Sequence, residues 1–246
     1  MAILYGIHAV EEALAAGRPL ERLLVARGRG GPRVQKMVAA AGAANVPVRF
    51  VNRDELDRLA GTPKHQGVVA VSGSKQYADL EELIAAAQPP ALFLLLDGVE
   101  DPRNLGAILR TASCAGVSGV ILPERRAAGI TPAVEKVSAG ASEHVAVARV
   151  TNLGRALERL KEAGCWLVGL DERGPQSVTA VDYTGPLGLV LGGEGKGLRE
   201  HVRAKCDFVV SIPTVGPISS LNVSVAAGVV LYEAVRQRQA KGVWRR

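Results

Sequence analysis

The chain has 246 residues, 48% of them hydrophobic and 4% aromatic, with a formal net charge of +6. No apolar run approaches the roughly 18–20 residues that cross a bilayer, and the opening MAILYGIHAVEEAL lacks the basic start and long apolar core of a secretory signal. Cys114, Cys165 and Cys206 are widely separated and offer no close pair for zinc, so no metal is expected and the three are predicted to be reduced and buried. These features exclude membrane-spanning and disulfide-stapled classes and predict a cytoplasmic protein with an aliphatic α/β core.

In chain order, short strands and helices alternate: strand 3–5, helix 8–16, strand 22–26, helix 32–44, strand 48–51, helix 53–59 and strand 67–71. Residues 1–74 carry ten Lys/Arg against six Asp/Glu, a balance that suits a polyanionic partner. Arg27, Arg29 and Arg33 surround the flexible Gly28, Gly30 and Gly31, where they can track phosphates or simply remain solvated. His65 and Gln66 read as a solvated turn. Residues 75–90 hold three acids and one Lys and end in Gln88-Pro89-Pro90, which a helix does not easily enter, so they are taken as a linker.

From Ala91 a second alternation begins, with strands near 91–96, 118–122, 144–148, 166–170, 187–191 and 207–211 and helices between them. This pattern predicts an α/β fold whose mostly parallel sheet is covered on both faces. The domain division is 1–74, linker 75–90 and 91–246.

Three segments of the second domain combine polar groups with special backbone chemistry. The first, LDGVEDPRNLGAILR at 96–110, places Asn104 as the cap of a helix that carries Arg110. Its neighbours Leu105, Ile108 and Leu109 suggest burial, so Arg110 is expected to meet a specific anion; the other reading is a surface charge. In the second, LVLGGEGKGL at 189–198, the glycines follow the fifth strand rather than the first and enclose a carboxylate, which disfavours a dinucleotide-binding loop and favours a neutral or cationic ligand. The third, 213–235, sets Ser219, Ser220 and Asn222 before an apolar helix, where they either cap it or face a ligand. Glu143 and His144 are read as adjacent strand residues on opposite faces; Asp97 ends a strand, where residues are often functional in α/β sheets, but Asp97-Gly98 is also an ordinary turn signal and is left outside the candidate site. Arg236, Arg238, Lys241, Arg245 and Arg246 form a basic end that either touches RNA or is frayed and solvated.

Taken in order and spacing, the three segments resemble the signature motifs of the SpoU/TrmH family of RNA ribose 2′-O-methyltransferases, part of the SPOUT superfamily, over about residues 91–246. Residues 1–74, including YGIHAVEEAL and Lys64-His65-Gln66-Gly67, resemble the ribosomal-protein-like RNA-binding domain at the N-terminus of one branch of that family. The resemblance implies a trefoil-knotted catalytic domain, a homodimer, and S-adenosylmethionine held mainly through the main chain at Gly192, Gly193, Ile212 and Leu221. It makes Arg110 the catalytic arginine, with Glu194 and Asn222 orienting Asn104, Arg110 and the ribose, and Ser220 hydrogen-bonding the target nucleotide. A guanidinium is always protonated, so Arg110 suits phosphate anchoring and stabilisation of developing alkoxide better than proton abstraction. RNA contact is implied for Arg27, Arg29, Arg33, His65 and Gln66. The implied substrate is a guanosine of large-subunit (23S) ribosomal RNA. The alternatives are methylation of a tRNA guanosine, or a non-catalytic RNA-binding or ribosome-assembly factor.

Overall fold

A computed structural model describes residues 2–72, 77–193, 197–217 and 219–243. Two units emerge, Met1–Gln76 with Ile130–His144, and Tyr77–Gly129 with Val145–Arg246. No helix among the described residues is long and apolar enough to cross a membrane.

The first unit is built on a four-stranded sheet of β1 (Ala2–Tyr5), β2 (Leu20–Ala26), β3 (Val48–Val51) and β4 (Val68–Ser72), in the order β1-β4-β2-β3. Both faces are covered, as the alternation of strand side chains requires. Leu23 and Val25 of β2 and Val68 and Ala70 of β4 pack with α1 (Ile7–Ala15) and α2 (Pro32–Ala43), while Leu24, Ala26, Val69 and Val71 pack with Leu56 of α3 (Arg53–Ala60). The later segment contributes α6 (Pro132–Val137) and α7 (Ala141–His144) to this unit. Their Glu135 and Glu143 both pair with the buried guanidinium of Arg18, Glu143 at 2.7 Å. Glu143 and His144 therefore lie in a helical turn rather than on the expected strand, and Glu143 is used as an ion-pair partner.

The second unit is a seven-stranded sheet, β7-β6-β5-β10-β8-β11-β9, parallel throughout. Its strands are β5 (Leu92–Asp97), β6 (Gly119–Pro123), β7 (Val147–Val150), β8 (Trp166–Leu170), β9 (Gln176–Ser177), β10 (Leu187–Gly192) and β11 (Phe208–Ser211). All six residues of β5 are buried, as expected for a strand covered on both sides. On one face Phe93, Leu95, Ile121 and Val190 pack with α8 (Leu153–Glu162), α9 (Glu200–Arg203) and Leu83 of α4 (Leu80–Ala85). α5 (Pro102–Cys114) and α10 (Val223–Ala240) pack together, with α10 also against β10.

The supposed linker is thus partly core: α4 sits within it, capped by Asp79, whose side chain accepts from the N–H groups of Glu81 and Glu82. The strand expected at 144–148 runs instead from Val147 to Val150. Among the cysteines, Cys165 is buried, Cys206 half-buried and Cys114 exposed, the last departing from the buried expectation.

Candidate active site

In a parallel sheet the loops leaving the carboxyl ends of the strands border a common crevice, and ligands settle there. In the second unit these loops enclose a cleft of about 320 Å³. Gly192, Gly193, Ile212, Leu221, Ser220 and Asn222, all named from the sequence, line it together. Glu194 lies outside the described residues.

The helix start after β5 is set by Asp101, not Asn104. Asp101 caps α5 through the N–H of Arg103 at 2.8 Å, and Pro102 occupies the first helical position, where its missing N–H costs nothing. Asn104 instead lies one turn in, on the buried face with Leu105, Ile108 and Leu109. There its Oδ1 accepts from Nδ2 of Asn222 at 3.1 Å. Asn222 caps α10 at the same time, because its Oδ1 accepts from the Ser224 N–H at 2.9 Å. Of the two readings of the polar knuckle, Asn222 meets the capping one, and it also lines the cleft. Arg110 is exposed rather than buried and forms no ion pair among the described residues, so its charge is presented outward.

The glycines are required first by the chain itself. A Cβ on Gly192 would lie 2.1 Å from the carbonyl carbon of Gly197, and one on Gly193 would lie 2.2 Å from the Gly98 oxygen. Gly193 and Gly197 form an antiparallel bridge, closing the loop between them. Gly197 has φ of +61°, which glycine adopts at little cost.

Two buried carboxylates stand on either side of this loop. Asp97, at the end of β5, accepts from the Arg199 N–H at 3.1 Å and from its Nε at 2.7 Å. Asp171, just after β8, accepts from the Arg173 N–H at 2.9 Å, from Arg173 Nε at 3.0 Å and from the Leu198 N–H at 3.2 Å. The hydrogen-bonded Arg173 guanidinium holds the Asp171 carboxyl down at about 2, against the opposing effect of burial, with the two backbone N–H groups helping. Asp97 reads as a turn residue in the sequence, and Asp171 carries no signal beyond its place after an apolar strand.

The chemistry of the lining tests what the cleft can hold. Its described residues include the carboxylates of Asp171 and Glu172 and neither a lysine nor an arginine, a poor match for a phosphate and a good one for a cation. Ser219 Oγ donates to Glu172 Oε2 at 3.4 Å. Along the described residues of 212–221, no main-chain N–H or C=O enters a backbone hydrogen bond with another described residue. That stretch offers backbone donors and acceptors for reading an adenine edge and ribose hydroxyls, so the site fits S-adenosylmethionine.

In the first unit, Arg27, Arg29, Arg33 and Arg53 line an open cleft with Gln66 and Gly67. Arg33 is paired with Glu11 at 2.7 Å, which raises its pKa, whereas Arg27, Arg29 and Arg53 have no ion pair among the described residues. Arg53 was not singled out from the sequence. His65 departs from its expected contact with RNA, for its ring is wholly buried. Its Nε2–H donates to Asp57 at 2.8 Å and its Nδ1 accepts the Gly67 N–H at 3.0 Å, so it holds the turn from inside. Gln66 Oε1 accepts from the Ile7 N–H at 3.0 Å.

Arg238 also differs from a frayed basic end. It is buried, and its guanidinium donates to the carbonyls of Tyr183, Pro90, Ala91 and Gly185 at 2.7–3.0 Å.

Residues 91–232 match the model of the SpoU rRNA Methylase family, and residues 3–78 match that for RNA 2′-O ribose methyltransferase substrate binding. The chain is 47% identical over 244 residues to the 23S rRNA (guanosine-2′-O-)-methyltransferase RlmB of Pseudomonas putida, covering 97% of each chain. It is 45% identical over 241 residues to the RlmB of Coxiella burnetii, covering 96% of each. The crystal structure of the SpoU methyltransferase AviRb from Streptomyces viridochromogenes in complex with AdoMet superposes with a TM-score of 0.84 at 30% identity, covering 97% of this chain and 90% of that one. With both models matched and relatives this similar along nearly its whole length, the chain belongs to the SpoU rRNA methylase family.

Proposed function

We propose that the chain methylates the ribose 2′-hydroxyl of a guanosine in 23S ribosomal RNA, using S-adenosylmethionine. The observation that carries this reading is the junction of a cation-tolerant cleft, walled by Gly192, Gly193, Ile212 and Leu221, with the Asn222–Asn104 bond to the helix bearing Arg110. When bound, S-adenosylmethionine supplies an electrophilic methyl group on a positively charged sulfur.

The protein's own groups do the positioning. Main-chain atoms at Gly192, Gly193, Ile212 and Leu221 hold the cofactor, and Ser220 hydrogen-bonds the target nucleotide. Arg110 grips an RNA phosphate in its planar fork and stabilises negative charge developing on the 2′-oxygen, while the proton leaves to phosphate or water. Asn222, held by Asn104, orients the ribose, a role that Glu194 shares. Arg27, Arg29, Arg33 and Gln66 of the first unit bind the RNA backbone, with His65 shaping the turn beneath them.

The reading extends to a trefoil knot and a homodimer acting in the cytoplasm. Support for the knot comes from the path of the chain, which leaves β11 beyond β8 and returns in α10 to pack on α5 and β10. Support for the dimer comes from α10, where Val225, Val229 and Tyr232 expose an apolar stripe. A sedimentation mass of twice the 25.7 kDa chain is the expected result, falling to a single chain for Val229→Asp.

The deciding assay is transfer of labelled methyl to separate pools of unmethylated ribosomal and transfer RNA, followed by nucleoside analysis. Label in 2′-O-methylguanosine of 23S RNA is expected. Label in tRNA alone would overturn the substrate, and no label despite cofactor binding would favour a non-catalytic RNA-binding factor.

A further inference from the structure

We propose that Asp97 and Asp171 are positioning residues for the cofactor: two buried carboxylates that hold Gly193 and the segment Gly197–Arg199 from both sides and so fix the part of the cleft wall that Gly193 and Gly197 form. The inference rests on the reading of that cleft as the S-adenosylmethionine site.

The sheet order makes the bracket possible. β10, which leads into the loop, lies between β5 and β8, and Asp97 ends the one while Asp171 follows the other. From the β5 side, the Asp97 carbonyl accepts the Gly193 N–H at 2.8 Å, and its carboxylate accepts the Arg199 N–H at 3.1 Å. One residue thus ties both ends of the loop. From the β8 side, Asp171 Oδ2 accepts the Leu198 N–H at 3.2 Å and lies 2.7 Å from where a Cβ on Gly197 would stand. Any larger residue at 197 would push the carboxylate away.

A buried carboxylate is costly without partners, so each is balanced by a guanidinium approaching from outside. Arg199 and Arg173 serve in this way, with side chains 41% and 59% exposed. Asp97 and Asp171 are 2% and 3% exposed, and beside their guanidinium partners they accept from the N–H groups of residues 199 and 198. Gly193, Gly197 and Asp171 all line the cleft. Asp97 also begins the segment that runs through Asp101 to Asn104, so it joins the cofactor wall to the helix presenting Arg110.

The test is calorimetric titration of the full-length protein with S-adenosylmethionine, beside filter binding of 23S RNA and steady-state kinetics, for Asp97→Asn and Asp171→Asn. Each variant keeps the side-chain shape but replaces one accepting oxygen with an NH2. The expected result is a rise of about tenfold or more in the cofactor Kd and KM, with kcat at saturating cofactor and the RNA Kd within about twofold of wild type. A cofactor Kd within twofold of wild type in the folded variants would overturn the proposal, as would equal losses of cofactor and RNA affinity. Should either Asn variant fail to fold, Arg173→Gln and Arg199→Gln decide, since they act from the exposed side: a cofactor Kd raised about threefold supports the bracket, and an unchanged one refutes it. Failure of the wild-type protein to bind S-adenosylmethionine would instead refute the underlying reading of the site.

Discussion

Asn222 divides its amide between two partners, the oxygen capping α10 and the nitrogen reaching Asn104. The two roles separate by substitution. Asn222→Asp keeps the capping acceptor but sets a carboxylate oxygen against the Asn104 oxygen, so methyl transfer is expected to fall at least a hundredfold with Tm nearly unchanged. Asn222→Ala loses the cap as well, at about 1 kcal/mol, and should lower both; thermal unfolding alongside the transfer assay distinguishes them. Asp171 gives a pH signature. Its carboxyl is held at about 2 in the fold against an ordinary 3.8, which corresponds to about 2 kcal/mol of stability. Because the folded-state value is the lower one, that stability is complete above about pH 4 and is lost as pH falls toward 2. The urea midpoints of wild type and Asp171→Asn should therefore differ at pH 6 and converge toward pH 2.5. At this scale legibility was uneven. The residues Asn104, Ser220 and Asn222 stand out because polar groups in apolar surroundings demand partners, whereas Asp171 looks like any acid after a strand until its donors are seen in space. His65 failed in the opposite direction, since a polar turn gives no sign that its ring is turned inward.

Among the elements, α10 depends on an unusual anchor. Arg238 meets four carbonyls and, among the described residues, no carboxylate, and burial pushes its pKa down. Arg238→Met would leave those carbonyls without their donors at a cost of about 3 kcal/mol, equivalent to roughly 6–12 °C in Tm for a chain of this size. Calorimetry checks this, with a loss under 3 °C counting against the anchor. β5 and β10 could be located from sequence because buried parallel strands read as unbroken apolar runs. α4 was hidden by the polarity of its surroundings: only Leu83 and its half-buried neighbours reach the core, too few to set a clear period. α7, four residues long, and β9, two, are too short for any period to register. The order of strands comes from long-range pairing, which local pattern does not encode.

For the molecule as a whole, charge and topology matter most. The net charge of +6 is modest, but Arg27, Arg29 and Arg53 stand without ion pairs among the described residues on one face of the first unit. Replacing both Arg27 and Arg29 with Ala should weaken RNA binding across sequences and reduce the slope of log affinity against log salt by about 1.4–1.8, since each phosphate contact releases counterions. Filter binding over a salt series measures it; an unchanged slope would remove these arginines from the interface. The basic character of this unit was legible from composition; the acidic stretch and the two prolines set the expected linker at 75–90, whereas the opening segment of the first unit ends at Gln76 and the residues after it join the second unit. That residues 130–144 belong with the first unit was not legible, because they lie between two strands of the other sheet in sequence.

This discontinuity fixes a timetable for biosynthesis. The last strand of the first sheet, β4, ends at Ser72, yet the two carboxylates that neutralise buried Arg18 arrive only at positions 135 and 143. At about 5–20 residues per second, the nascent chain must wait roughly 4–14 s between completing that sheet and receiving its last counter-charge. During that interval the beginning of the protein waits for its middle, and a chain interrupted before residue 135 lacks both carboxylates that pair with Arg18.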